Sequence, residues 1–304
     1  MPAPDDLTTI NTYCDTAPRA TANAETIGPF TLFVARTGWP FYARPAVDLR
    51  PDHAFDVAEI AVVVERQRAL GIPLTFEWVH ELAPALAAAA GSHGLDVTTR
   101  PLLVQTVEIP STGTVEDIVM LEPEDDRFGA ARSAVAGGFE ETDSPGPEPG
   151  LEAIRQRARE ELLRVAGAFD TSGAAVGGGS ASARGDVAEL TGIAVLPRAR
   201  GRGIGAAITA VLAADARARG VRTVWLSATD ERVAAVYERV GFTRIGTTYE
   251  AAPRRSGGSA RRAVGRREHG PQRRGDDVGV DADAPDDLLA DLTLDVRRGK
   301  RVST

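Results

Sequence analysis

DVAELTGIAVLPRARGRGIG, residues 186–205, decides how this chain is read. Its first half is an apolar stretch that reads as a strand at 186–196. Pro197 ends it, and Arg200-Gly-Arg-Gly203-Ile-Gly205 then opens a helix at 204–219. Strand, glycine-rich turn and helix N-terminus together make a backbone site for an anion. Glycine lets main-chain N–H groups come close to a ligand, and the first helical turn offers N–H donors and the positive end of its dipole. The spacing R-x-x-G-x-G differs from G-x-G-x-x-G, and no G-x-x-x-x-G-K-[ST] occurs in the chain. That argues against a dinucleotide in a Rossmann crevice and an NTP in a P-loop.

Downstream, the pattern gives a strand TVWLSA (223–228), a helix at 230–240 and a last strand from Phe242 to about Tyr249. Upstream, DIVMLEP (117–123) reads as a buried strand. Helices follow near 125–137 and 150–166, parted by the Ser-Pro-Gly-Pro-Glu-Pro loop, then strands near 166–179 and at 186–196. A smaller α/β unit precedes these. It has FTLFVA (31–36), a turn at Thr37-Gly-Trp-Pro40, FYARPAVDL (41–49), a helix at 55–70, LTFEWV (74–79), a helix near 81–91 and a strand at about 95–107. Residues 76–97 echo 226–245, with Gly94-Leu95 laid on Gly241-Phe242; chance likeness between α/β segments is the alternative. The division expected is a mobile arm at 1–26, a partial unit at 27–112, a main domain at 113–250 and an Arg-rich disordered tail at 251–304.

A chain of 304 residues, 43% hydrophobic, can bury a sizeable core. Cys14 is its only cysteine and its four histidines are scattered, so neither an intrachain disulfide nor a metal cluster is expected. Residues 1–25 lack the apolar segment of a signal peptide and no run is long enough to span a membrane, which places the chain in the cytoplasm. The net charge of −8 is uneven: residues 253–304 carry 12 basic and 9 acidic residues, leaving −11 on residues 1–252. The folded part is expected to draw cations.

From 115 to 249 the element order is β-α-α-β-β-β-α-β-α-β. Together with R-x-x-G-x-G after an apolar strand and AVYERVGF at 235–242, it resembles the GNAT superfamily of acyl-CoA-dependent N-acetyltransferases. The likeness covers about 135 residues. The first unit is similar to the extra, degenerate half of some two-part bacterial members. The resemblance implies a mixed central sheet flanked by helices, an α/β (α+β) fold.

It also implies acetyl-CoA as co-substrate, no metal, and direct transfer of the acetyl group to a primary amine. Amides from Arg200, Gly201, Arg202, Gly203, Ile204 and Gly205 would hold the pyrophosphate, with charge from Arg200 and Arg202. The pantetheine arm would lie along Ile193, Ala194 and Val195, an amide near Ile193 polarising the carbonyl. Tyr237 stands where the family has its general acid, and a half-buried core tyrosine is the alternative. By strict alternation Glu189, Thr191, Ile193 and Val195 share one strand face, and Glu189 is the candidate base or a solvent-facing glutamate. Asp230 stands where the family often has a coenzyme-contacting Asn, yet Thr229-Asp230 also reads as an N-cap. Ser227 either reaches the coenzyme or ends its strand. Trp39, Trp78 and His80 are candidates for an acceptor pocket between the units, or for packing.

The family's closing hairpin is missing after Tyr249. The closing strand is therefore lost, supplied by the first unit, or supplied by a second subunit, which leaves a homodimer open. Two other functions stay open. One is a non-catalytic acyl-CoA-binding regulatory module. The other is binding of an anionic partner through the Arg-rich tail, nucleic acid being the less favoured case.

Overall fold

The computed structural model describes residues 6–36, 41–107 and 117–254. They form one eleven-stranded mixed sheet with helices on both faces, as the resemblance implied. In chain order the elements are α1 (Asp6–Arg19), β1 (Ala22–Ile27), β2 (Phe30–Ala35), β3 (Phe41–Pro45), α2 (Val57–Ala69), β4 (Phe76–Val79), α3 (Leu86–Ser92), β5 (Leu95–Gln105) and β6 (Asp117–Leu121). Then come α4 (Phe128–Glu140), α5 (Leu151–Arg159), β7 (Arg164–Phe169), β8 (Ala175–Arg184), β9 (Val187–Val195), α6 (Ile204–Ala218), β10 (Thr223–Ser227), α7 (Glu231–Glu238) and β11 (Phe242–Pro253). No helix among the described residues is long and apolar enough to cross a membrane.

The strand order is β1-β2-β3-β4-β11-β5-β10-β9-β8-β7-β6. Its centre holds the answer to the missing closing strand. β5, from the first unit, inserts between β10 and β11, and β11, from the second, inserts between β4 and β5. The two run antiparallel from Phe242↔Gln105 to Pro253↔Leu95. Each is entered through a glycine in the left-handed region, Gly94 (φ 92°) and Gly241 (φ 89°). The carbonyl of Gly241 accepts hydrogen bonds from Thr106 N (2.9 Å) and Val107 N (3.2 Å), tying the exchanged strands at one end. A boundary at 112/113 therefore divides the chain but not the sheet.

The exchange overturns the expected end of the folded part. β11 runs to Pro253, and Ala251 is fully buried in the first unit's core. The rest of the expected tail, from 255, lies outside the described residues. At the other end, residues 6–26 of the arm expected at 1–26 instead hold α1 and most of β1, the first five lying outside the described residues. Leu7, Ile10, Tyr13, Cys14 and Ala17 recur at helical spacing and pack on Val79, Leu102, Val187 and Trp225, so one helix covers strands of both units. Tyr13 meets Trp225 edge to face at 5.7 Å, and its hydroxyl donates to Ser182 O at 2.7 Å.

Two more boundaries move. The strand expected at 166–179 is the β7–β8 hairpin. Asp170 Oδ1 accepts from Ser172 N and Ala174 N, and Gly173 (φ 83°) supplies the turn. The helix expected to reach 166 stops at Arg159, where Glu161 takes a left-handed conformation and Leu162 N reaches back to Arg157 O. That is a Schellman-type stop built without glycine.

α6 and α2 cover one face of the sheet in their respective units. Ile204, Ile208, Leu212 and Ala213 pack on Leu190, Val224 and Leu226; Ile60, Val63 and Val64 pack on Phe30, Leu32 and Phe76. α1 and α4 lie against the other face, where a large cavity remains.

Candidate active site

The glycine-rich turn forms as its sequence suggests. After Leu196, Pro197–Ala199 make a single 3-10 turn, and Gly201 (φ 76°) and Gly203 (φ 79°) take the left-handed conformation. The first i→i−4 bond of α6 runs from Ala207 N to Gly203 O, so the amides of Ile204, Gly205 and Ala206 head the helix ahead of it. A Cβ at Gly205 would meet only Val195 Cγ2, at 3.9 Å. Packing does not require glycine there, and the approach to the backbone is open.

Arg200, expected to add charge at the phosphate, is engaged within the fold. Its guanidinium binds Val195 O (3.1 Å), Gly138 O (2.6 Å) and the Glu141 carboxylate (2.7 Å). It is a strut between β9 and the end of α4. Arg198 is tied in the same way, through its amide and guanidinium, to Asp143. Arg202 lies exposed at the turn.

Beside this loop the sheet opens. β9 and β10 pair in parallel only from Val187↔Thr223 to Glu189↔Trp225. Beyond that point β10 follows β5, with Ser227↔Leu102, while β9 continues along β8 to Val195. The β10-facing edge of β9 from Leu190 to Val195 is thus left without a ladder. An edge without a ladder next to a glycine-rich turn suits an extended amide-containing ligand.

Gly192 (φ 61°) is a bulge in β9, lying between Thr191↔Ser180 and Ala194↔Gly178. The extra residue reverses the alternation. Leu190, Ile193 and Val195 all pack toward α6, whereas Glu189 and Thr191 line the cavity on the opposite face. The expected common face of Glu189, Thr191, Ile193 and Val195 is therefore wrong beyond Thr191.

α7 begins at Asp230, whose Oδ1 accepts from Val233 N at 2.9 Å. One side-chain oxygen is committed to that cap, as the N-cap reading of Thr229-Asp230 expected. Tyr237, near the end of α7, is 8% exposed and rests on Phe242 with ring centres 6.2 Å apart. Burial pushes its phenol up to about 12. Among the described residues its hydroxyl makes no hydrogen bond.

The cavity, about 690 Å³, draws its wall from both units. Glu189 and Thr191 come from β9, Glu77 from β4, Glu250 from β11, Arg100 from β5, Tyr13 from α1, Arg132 from α4 and Arg157 from α5. Arg132 pairs with Glu148 at 2.5 Å and Arg100 with Glu250 at 3.1 Å. Glu189 carries the largest carboxylate perturbation. Burial, and then the nearby Glu77, raise it from 4.5 to about 8, against an opposing pull from Arg157. Ser227 shares a hydrogen bond with Thr248 at 2.9 Å and also lines the cavity. Among the described residues no group of three or more His, Cys, Asp or Glu is placed to hold a metal ion.

Of the expected pocket aromatics, Trp78 packs in the first unit's core with an edge on the cavity. His80 stacks on Tyr249 at 4.2 Å, and Trp39 lies outside the described residues. Sequence reading missed Glu77, Arg157 and Tyr13. Glu77 carried a signal: in Phe76-Glu-Trp-Val79 the core residues Phe76 and Trp78 place it on the other face.

Residues 134–242 match the model of the acetyltransferase (GNAT) family. Among solved structures, a GCN5-related N-acetyltransferase from Kribbella flavida is 24% identical, with 83% of this chain and 96% of that chain covered and a TM-score of 0.63. One from Sphaerobacter thermophilus is 17% identical, covering 82% and 93%, with a TM-score of 0.54. A functionally unknown conserved protein from Staphylococcus epidermidis is 14% identical, covering 79% and 96%, with a TM-score of 0.52. At these identities the likeness is one of fold. No curated protein matches the chain.

Proposed function

From the match of residues 134–242 to the model of the GNAT acetyltransferase family, we propose that the chain moves an acetyl group from acetyl-CoA directly to a primary amine. One observation supports this most: the opening between β9 and β10 lies beside the glycine-rich helix start and near Glu189, whose side chain lines the cavity. The residues present fit the coenzyme. Amides of Gly201, Gly203, Ile204 and Gly205 would take the pyrophosphate, with Arg202 adding charge. The bare edge at Ile193, Ala194 and Val195 would pair with the pantetheine amides. Arg200 and Asp230 drop out of that set because the fold uses their side chains.

Bound acetyl-CoA supplies a thioester carbonyl open to attack. The protein has three further tasks: to polarise that carbonyl, to neutralise the ammonium and to protonate the departing sulfur. The bulge at Gly192 frees backbone N–H from the ladder at Gly192-Ile193, where an oxyanion donor is wanted. Glu189 takes the proton from the incoming ammonium. A carboxyl raised to about 8 is a far stronger base than an ordinary glutamate, so it is better matched to an amine. Tyr237 donates its phenolic proton to the sulfur as the C–S bond breaks. With its phenol near 12 it stays protonated across the working range.

The test is release of free thiol from acetyl-CoA over a panel of primary amines. Tyr237→Phe is expected to cost about 10²-fold or more in kcat, with unchanged melting, because no internal hydrogen bond is lost. Equal turnover by the variant would remove Tyr237 from the mechanism. No thiol release on any amine would leave a coenzyme-binding module in place of an enzyme.

A further inference from the structure

The cavity wall holds a cation without a hydrogen-bonded partner among the described residues. Arg157, near the end of α5, reaches its wall, and its Nε is buried without a partner. Among the described residues its guanidinium makes no hydrogen bond or ion pair. Its charged surroundings are two more cations, Arg184 and Arg132, and the Glu189 carboxylate, which draws it the other way without a hydrogen bond. Arg132 is already held by Glu148, while Arg184 donates to the carbonyls of Leu162 and Ala183. A guanidinium carries five donors and is costly to desolvate with no acceptor. Here burial and Arg184 push it below its ordinary range. On the same wall, within electrostatic reach of Arg157, stands Glu189, with Glu77 near it, and the two carboxylates suit an ammonium.

We propose that the acceptor is zwitterionic, an amine that carries its own carboxylate or phosphate, with the anion seated on Arg157 and the ammonium against Glu189 and Glu77. The planar fork of arginine matches both anions in bidentate geometry. A cavity of about 690 Å³ is of small-metabolite size. The negative charge of residues 1–252 then draws the ammonium end, and Arg157 selects among amines by the second group. The proposal rests on the acetyl-transfer reading for which group reacts, but its binding half stands independently.

The experiment is equilibrium titration of the full chain, without acetyl-CoA, by two matched pairs. γ-Aminobutyrate against n-butylamine reads a carboxylate, and O-phosphoethanolamine against ethanolamine reads a phosphate. The anionic member of one pair is expected to bind about 10- to 100-fold more tightly, the range of a lost charged hydrogen-bonded contact. The winning pair identifies the anion. Arg157→Gln should abolish the difference, and Arg157→Lys should keep part of it, so a folding defect in one variant leaves the other decisive. Equal or tighter binding of the uncharged-tail amines, or a preference that survives in Arg157→Gln, would overturn the proposal. Thiol release from acetyl-CoA is measured separately. A binding preference without thiol release refutes acetyl transfer and supports the zwitterion site. Thiol release without a preference does the reverse.

Discussion

Glu189→Gln separates a catalytic carboxyl from a structural one because its two effects have opposite signs. The folded protein holds the Glu189 proton up to about pH 8, whereas an ordinary glutamate releases it near 4.5. Between those values the unfolded chain binds fewer protons than the folded one, so this group's contribution lowers stability as pH rises. Glutamine has no such proton. At about 1.4 kcal/mol per pH unit, the gap sets a ceiling of roughly 5 kcal/mol on the variant's gain above pH 8, and no gain below pH 4.5. Glu189 is only half-buried on the cavity wall, and solvent there brings the gain below the ceiling. Activity moves the other way. With an amine acceptor, kcat/KM of the wild type should rise through an inflection near 8. Glu189→Gln should remove that limb and cost about 10²- to 10⁴-fold. The assays are urea midpoints at about pH 5 and 9, and thiol release across the same range. A variant whose midpoint relative to wild type is the same at both pH values would refute the buried carboxyl. A limb that survives in the variant would refute the base.

Glu77→Gln should shift the same inflection to lower pH but short of an ordinary glutamate, because burial, the larger cause, remains; pH profiles of kcat/KM read it. Arg200→Ala should lower stability by about 1–2 kcal/mol, a melting shift of a few degrees, because it leaves Gly138 O and Val195 O without their donor at a partly exposed site. Its acetyl-CoA affinity should fall far less than that of a variant in the glycine turn. Equal losses would return Arg200 to the phosphate site.

The glycine-rich turn was legible because its determinants are local. Pro197, Gly201, Gly203 and Gly205 fix a turn by backbone conformation, and Tyr237 is placed by its spacing from Gly241-Phe242. The cavity was not, because it is assembled by long-range pairing. Glu77, Arg100, Arg157 and Glu189 meet only once β5 and β11 have changed places. Strand exchange leaves no local mark, although the repeat of Gly94-Leu95 in Gly241-Phe242 matches the two strands that swap. Gly192 could have warned that strict alternation fails, since glycine inside a strand often marks a bulge. α1 was misread because its apolar residues are few, yet Leu7, Ile10, Cys14 and Ala17 already carried a helical period.

The account depends most on the coenzyme seat. Calorimetric titration of acetyl-CoA against the wild type and Gly203→Glu tests it most directly. That change puts a carboxylate where the pyrophosphate should sit, on a backbone at φ 79°. Micromolar binding by the wild type, lost in a variant that remains folded by circular dichroism, is the predicted result. Equal binding by both proteins, or none by the wild type, would contradict it.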